Sequence, residues 1–124
     1  MKVNYYRCNT CKKIVEEVIE TPVKLFCCGK EMELLTANTT DAATEKHVPV
    51  VTIEGNKVRV VVGDVAHPMT PEHSIEWISV VTETGVMRKN LTPDMAPEAE
   101  FLTDEKVVDV YAWCNLHGLW KATL

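Results

Sequence analysis

Nine side chains of this 124-residue chain could ligate metal ions, and they fall into two groups of different character. The first group is Cys8, Cys11, Cys27 and Cys28. Cys8-Asn9-Thr10-Cys11 is a knuckle whose two intervening residues let both thiolates turn onto one ion. A second cysteine pair completes a tetrahedral sulfur site, which suits zinc or iron alike. That pair is adjacent here, and neighbouring residues on a strand point to opposite faces. Both can reach one ion only if the backbone bends, and Gly29, directly after the pair, tolerates such a bend. A distorted tetrahedron is therefore expected, with a wide angle between the adjacent sulfurs. Four thiolates leave no coordination position open. Such a site holds a fold or carries an electron, but it does not bind substrate.

The second group is His47, His67, His73, Cys114 and His117. A lone histidine in a β protein is usually a surface or satisfied residue. Here all four histidines of the chain fall after residue 44, and Cys114-Asn115-Leu116-His117 is a chelating pair with the reach of the knuckle. Four imidazoles and one thiolate exceed what a structural zinc uses. A blue-copper site takes two histidines, one cysteine and a weak axial methionine. No methionine follows His117 in Gly118-Leu119-Trp120-Lys121-Ala122-Thr123-Leu124, and copper leaves two histidines unexplained. Five mixed nitrogen and sulfur ligands suit a square pyramid on iron with one open position, where a small molecule can react.

The elements that must position these residues divide at a polar stretch, Thr36-Ala37-Asn38-Thr39-Thr40-Asp41-Ala42-Ala43-Thr44, which has no apolar period. Residues 1–36 are too few for a self-sufficient core, since chains below about 40 residues usually need a metal, disulfides or a partner. Strands are expected there at Asn4–Arg7, Ile14–Glu20 and Val23–Phe26, making a metal-knuckle ribbon. Residues 37–124 read as nearly all β. Val48–Ile53 and Lys57–Val62 flank Glu54-Gly55-Asn56, a hairpin signal, and Ile75–Glu83 and Val86–Leu91 flank Thr84-Gly85. Glu100–Leu102, Val107–Cys114 and Leu119–Thr123 follow the Pro-bearing loop Thr92–Pro97. Ile75–Glu83 could turn as a helix, but its β-branched content favours a strand. The pattern predicts a small antiparallel sandwich.

Composition removes whole classes of function. Lys+Arg number 13 against Asp+Glu 18, a net charge of −5 with no basic run, which argues against a nucleic-acid binder. Apolar residues at 46% and charged residues at 25% mark a folded chain rather than a disordered one. No apolar stretch approaches the roughly 18 residues needed to cross a bilayer, so no membrane is expected. The residues before Cys8 include Asn4, Tyr5, Tyr6 and Arg7 and leave no room for a signal peptide, so a cytoplasmic location is expected. In that reducing compartment an odd cysteine count argues against a disulfide framework.

The motifs resemble those of desulfoferrodoxins, the two-iron superoxide reductases, nearly from end to end. The residues that carry the resemblance are Tyr6-Arg7-Cys8-x-x-Cys11, Cys27-Cys28-Gly29, Glu45-Lys46-His47-Val48-Pro49, His67-Pro68-Met69, Ile75-Glu76-Trp77, Ala96-Pro97-Glu98-Ala99 and Cys114-Asn115-Leu116-His117-Gly118-Leu119-Trp120. The resemblance implies a desulforedoxin-like domain over 1–36, similar to a distorted rubredoxin, with one iron on Cys8, Cys11, Cys27 and Cys28. It implies an immunoglobulin-like β-sandwich over 37–124 with a second iron, His47, His67, His73 and His117 equatorial and Cys114 axial. The implied activity is one-electron reduction of superoxide to hydrogen peroxide, with a rubredoxin-like electron donor and a homodimeric assembly. Glu45 is implied as a ligand closing the open position in the resting ferric state. A net negative protein repels an anionic substrate, so a local positive charge is required, and Lys46 beside His47 supplies it and can organise a proton-donating water. Taken apart from the resemblance, Glu45-Lys46 is a solvated charge pair beside a turn. Trp77, Trp113 and Trp120 read as core and shell residues and Met69 as packing. Two other readings stay open at this point, a non-catalytic iron electron carrier and a zinc-stabilised binding module.

Overall fold

Short runs of β-branched and aromatic residues, broken by turn residues, make strands wherever a neighbour is available to pair with. The computed structural model describes residues 2–124, which divide into two units, Lys2–Thr36 and Ala37–Leu124.

In the smaller unit the strands are β1 (Asn4–Arg7), β2 (Ile14–Glu17), β3 (Phe26–Cys27), β4 (Lys30–Glu31) and β5 (Glu33–Leu34). β1 lies between β2 and β5 in one antiparallel sheet, and β3 pairs with β4 as a separate hairpin. The expected strand at Ile14–Glu20 stops at Glu17, and that at Val23–Phe26 shrinks to Phe26–Cys27. Val18, Ile19 and Val23 are 82%, 76% and 75% exposed, so β propensity finds no sheet there to join.

The larger unit begins with one helical turn, α1 (Thr44–His47). Seven strands follow: β6 (Pro49–Glu54), β7 (Lys57–Val62), β8 (Ile75–Thr82), β9 (Val86–Asn90), β10 (Glu98–Leu102), β11 (Val107–Cys114) and β12 (Gly118–Thr123). They form two antiparallel sheets, ordered β10-β7-β6 and β12-β11-β8-β9, the three-plus-four arrangement of an immunoglobulin-like sandwich. Ile75–Thr82 is a strand, as its β-branched residues favour. Alternation builds the core: Val58, Val60 and Val62 of one sheet face Ile78, Val80, Val110 and Ala112 of the other, all at most 1% exposed. Each of these Val and Ile side chains contributes about 1.5–3 kcal/mol through burial. Among the described residues no helix is long and apolar enough to cross a membrane.

Antiparallel pairing also decides where the strand ends meet. The start of β6, the end of β7 and the Cys114↔Gly118 closure of the β11–β12 hairpin lie at one end of their sheets, because register pairs Pro49 with Val62 and Cys114 with Ile75.

Candidate metal centres

In the smaller unit the knuckle is tied by its own backbone. Cys8 N–H donates to Lys13 O and Lys12 N–H donates to Cys8 O, both at 2.9 Å, and Cys11 N–H points at Cys8 Sγ at 3.4 Å. At the adjacent pair the chain bends through Cys28 itself, whose φ is 54°, as well as through Gly29 at 73°. A non-glycine residue in the left-handed region costs of order 1–3 kcal/mol. The bend brings the second sulfur round: Cys11 and Cys27 Sγ lie 3.7 Å apart, Cys27 and Cys28 Sγ 3.9 Å. All four sulfurs fall within 4.8 Å of one another. A tetrahedral ion with sulfurs at about 2.3 Å requires edges of about 3.8 Å, so the cysteines fit one. The crowding also shifts their protons. N–H donors from the Cys11 backbone pull the Cys8 thiol down to about 6, while hydrogen bonds with the Cys8 and Cys27 sulfurs push Cys28 up to about 12. The first thiolate forms easily and the last resists, unless a cation takes up the charge.

In the larger unit the ligand candidates come from the strand ends just described. His47 ends α1, His67 and His73 lie between β7 and β8, Cys114 ends β11, and His117 sits in the turn before β12. His47 Nδ1 is 2.6 Å from Ala43 O and His67 Nδ1 is 2.7 Å from Pro68 O. A carbonyl only accepts, so each Nδ1 carries the proton and each Nε2 is a bare lone pair. Those two Nε2 atoms nonetheless face each other at 3.2 Å, and His117 Nδ1 lies 3.1 Å from His47 Nε2. Two acceptors so close repel unless a cation lies among them. His73 Nε2 is buried without a hydrogen-bond partner.

The four rings close a square. Centroids are 4.7 Å apart for His47–His67, 4.6 Å for His67–His73, 4.9 Å for His73–His117 and 4.9 Å for His117–His47, with the His47–His73 diagonal at 6.4 Å. Nitrogens at about 2.1 Å from an ion in a square plane lie about 3.0 Å from their neighbours, close to the spacings found. The buried Cys114 Sγ is 3.4 Å from His67 Nε2. His47, His73, Cys114 and His117 offer atoms within 4.8 Å of one another, and His67 joins them through its contacts with His47 and Cys114. Burial pushes His67 down to about 4 and also lowers His47 and His73, which favours the neutral imidazole that a metal needs. Burial raises the Cys114 thiol, so its thiolate forms with the ion.

Comparison with known proteins places the chain in a family. The desulfoferrodoxin family profile matches residues 39–123. This chain belongs to the desulfoferrodoxin family. A desulfoferrodoxin homologue of Archaeoglobus fulgidus is 50% identical over 117 residues, covering 94% of both chains. A superoxide reductase of Pyrococcus horikoshii is 38% identical and covers 69% of this chain and 91% of its own. Among solved structures, the superoxide reductase of Treponema pallidum aligns with a TM-score of 0.83 at 36% identity, over 99% of this chain and 100% of that one. The one-iron superoxide reductase of Giardia intestinalis aligns with a TM-score of 0.56 at 32% identity, over 64% of this chain and 97% of that one.

Some of the remaining motif residues adjoin the histidines. Glu45 and Lys46 are exposed on α1, next to His47. The positive charge of Lys46 adds to the lowering of His47 and His73. Gly63, at φ 88°, is the seat of this turn: a Cβ there would stand 2.5 Å from Glu45 O and 2.6 Å from Lys46 C. Glu45 O also accepts Val65 N–H at 2.9 Å. Trp120 stacks on His47 at 4.8 Å and its Nε1–H donates to His117 O at 3.1 Å, so it steadies two candidate ligands from the shell. Met69 packs against the core, its sulfur accepting Ile75 N–H at 3.3 Å. Sequence reasoning missed Gly63 and the carbonyls of Ala43 and Pro68. The glycine was visible as a residue type, but the carbonyls gain their role only from folding.

Proposed function

We infer that this chain is a superoxide reductase, reducing superoxide to hydrogen peroxide by one electron. The observation that carries the reading is the square of four imidazoles with a buried thiol beside it, in a chain whose relatives include superoxide reductases. Five donors leave a six-coordinate ion one position for a small molecule, unlike the four-sulfur site. We take the metal to be iron in both centres, consistent with the one-iron naming of the Giardia intestinalis protein. When bound in the larger unit, ferrous iron supplies the single electron that the reaction requires.

The chain's own residues do the rest. His47, His67 and His73 would present Nε2 and His117 Nδ1, with Cys114 the one thiolate among the five donors. That thiolate would donate electron density to a bound ion and tune its potential. Lys46 offsets the repulsion of the −5 chain toward superoxide and can hold the water that delivers protons to the departing peroxide. Glu45, beside it, is the carboxylate that would occupy the sixth position at rest. Residues 1–36 form a desulforedoxin-like iron domain and residues 37–124 the reductase domain in this reading. A rubredoxin-like donor, a homodimer and the cytoplasm, where five free thiols stay reduced, complete it.

The test is stoichiometric. Nearly one peroxide should form per superoxide consumed, with reductant used up in step. A yield near half without reductant would mean dismutation, and no turnover at all would leave the carrier reading. Azide shifting the spectrum of the histidine-ligated iron would exclude a closed electron carrier, which has nowhere to bind it.

A further inference from the structure

His47 and His67 are oriented through their own rings, each Nδ1–H donating to a main-chain carbonyl. The hold on His73 that the structure shows is on its main chain. His73 N–H meets Thr70 O at 3.2 Å and Thr70 Oγ1 at 3.1 Å, and Thr70 N–H returns to His73 O at 3.0 Å. This is a tight turn with Pro71 at its second position, where proline is favoured. The turn fixes the shape of the loop but not its distance from the other ligands.

One residue supplies that distance. Asn115 Nδ2–H donates to Glu72 O at 2.9 Å, its Oδ1 accepts Ser74 N–H at 2.9 Å, and its own N–H donates to Ser74 O at 3.2 Å. The side-chain amide thus grips the main chain immediately before and after His73. Asn115 itself stands between Cys114 and His117. The loop with two ligand candidates is therefore locked to the loop with a third. The chemistry is specific, because a planar amide offers a donor and an acceptor at fixed separation: aspartate lacks the donor, and glutamine is a methylene longer.

We propose that Asn115 is a positioning residue for the metal centre of the larger unit, setting the reach of His73 relative to Cys114 and His117. The proposal rests on the superoxide reductase reading, since it needs an ion at that centre. Asn115 is half-buried, so water can replace its lost hydrogen bonds and the sandwich survives substitution, while the ligand geometry does not. Removing a group that orients a metal ligand typically costs about 10–100-fold in metal affinity.

The experiment compares loss of iron to a competing chelator in the two-iron protein, Asn115→Ala, Asn115→Asp, His73→Ala and the double variant Asn115→Ala/His73→Ala. The four-cysteine iron serves as internal control. Asn115→Ala is expected to lose the second iron about 10–100-fold faster, with the first iron and the melting of the iron-free protein unchanged. Asn115→Asp, which keeps the acceptor only, is expected to fall between. In the His73→Ala background, Asn115→Ala should change nothing further, which a merely structural role would not produce. Iron held as firmly as in the parent, or an equal effect with and without His73, overturns the positioning role alone. A parent chain that takes up no iron at the histidines overturns the underlying reading and this inference with it.

Discussion

Among the described residues, Lys2–Thr36 buries three apolar side chains, Tyr5, Cys8 and Met32, and one of these is itself a candidate ligand. Ala37–Leu124 buries a core that spans both sheets and contains Cys114 among its members. In the small unit a few short strands cannot by themselves offset the entropy of ordering them, so an ion on the four cysteines is expected to organise the chain. In the large unit the sandwich stands by its own burial and holds the ligands in place for chemistry. The donor sets follow the same division. Four sulfurs saturate a tetrahedral ion and stabilise it, whereas five mixed donors leave a place for a reactant.

The largest expected effect tests the reactive side of this contrast. Cys114→Ser should abolish the sulfur-to-metal absorption of the second centre and superoxide reduction with it, leaving the first centre's spectrum intact. Loss of both spectra would show that the centres are not separate. The converse substitution, Cys11→Ser, should remove the first iron and the ordered amide signals of residues 2–36, measured by NMR, while peroxide formation persists. An ordered small unit without metal would contradict the view that its ion holds the fold.

A smaller change is expected from charge. Lys46→Ala should slow superoxide capture about 10-fold and flatten its dependence on ionic strength, because steering by a local charge is screened by salt. Unchanged rate and salt slope in pulse-radiolysis kinetics would make Lys46 a spectator. The smallest effect concerns stability and pH in the iron-free protein. The folded-state pKa values of His47, His67 and His73 lie below the usual imidazole value, so the unfolded chain binds more protons. Stability of the large unit should therefore fall as pH drops below about 6.5, and keep falling until pH passes about 4, where His67 also protonates in the fold. A melting temperature flat across that window would show that these rings are already solvated.

How much of this was legible before folding can be argued residue by residue. The strand Lys57–Val62 was readable to its ends, because alternation and the Gly55-Asn56 turn both mark it. Helix α1 was not, since four residues are too few to show a 3.6-residue period, and Thr44 belongs to a stretch that reads as irregular. The cysteine knuckle announced itself by spacing, a local property. The histidine set was legible as a list of ligand types, but its square was not, because its members lie up to 70 residues apart in sequence.

What the sequence determined by itself is the chemistry on offer: four thiolates near the start, four imidazoles and a thiolate after them, and a β pattern for the larger part. Those follow from residue type and short-range spacing. Which nitrogens of His47 and His67 face inward, which carbonyls hold those rings, and that Gly63 seats Glu45 and Lys46 were decided only by the tertiary structure. The reason is that antiparallel pairing brings distant strand ends together, and only that meeting turns separate donors into one coordination sphere.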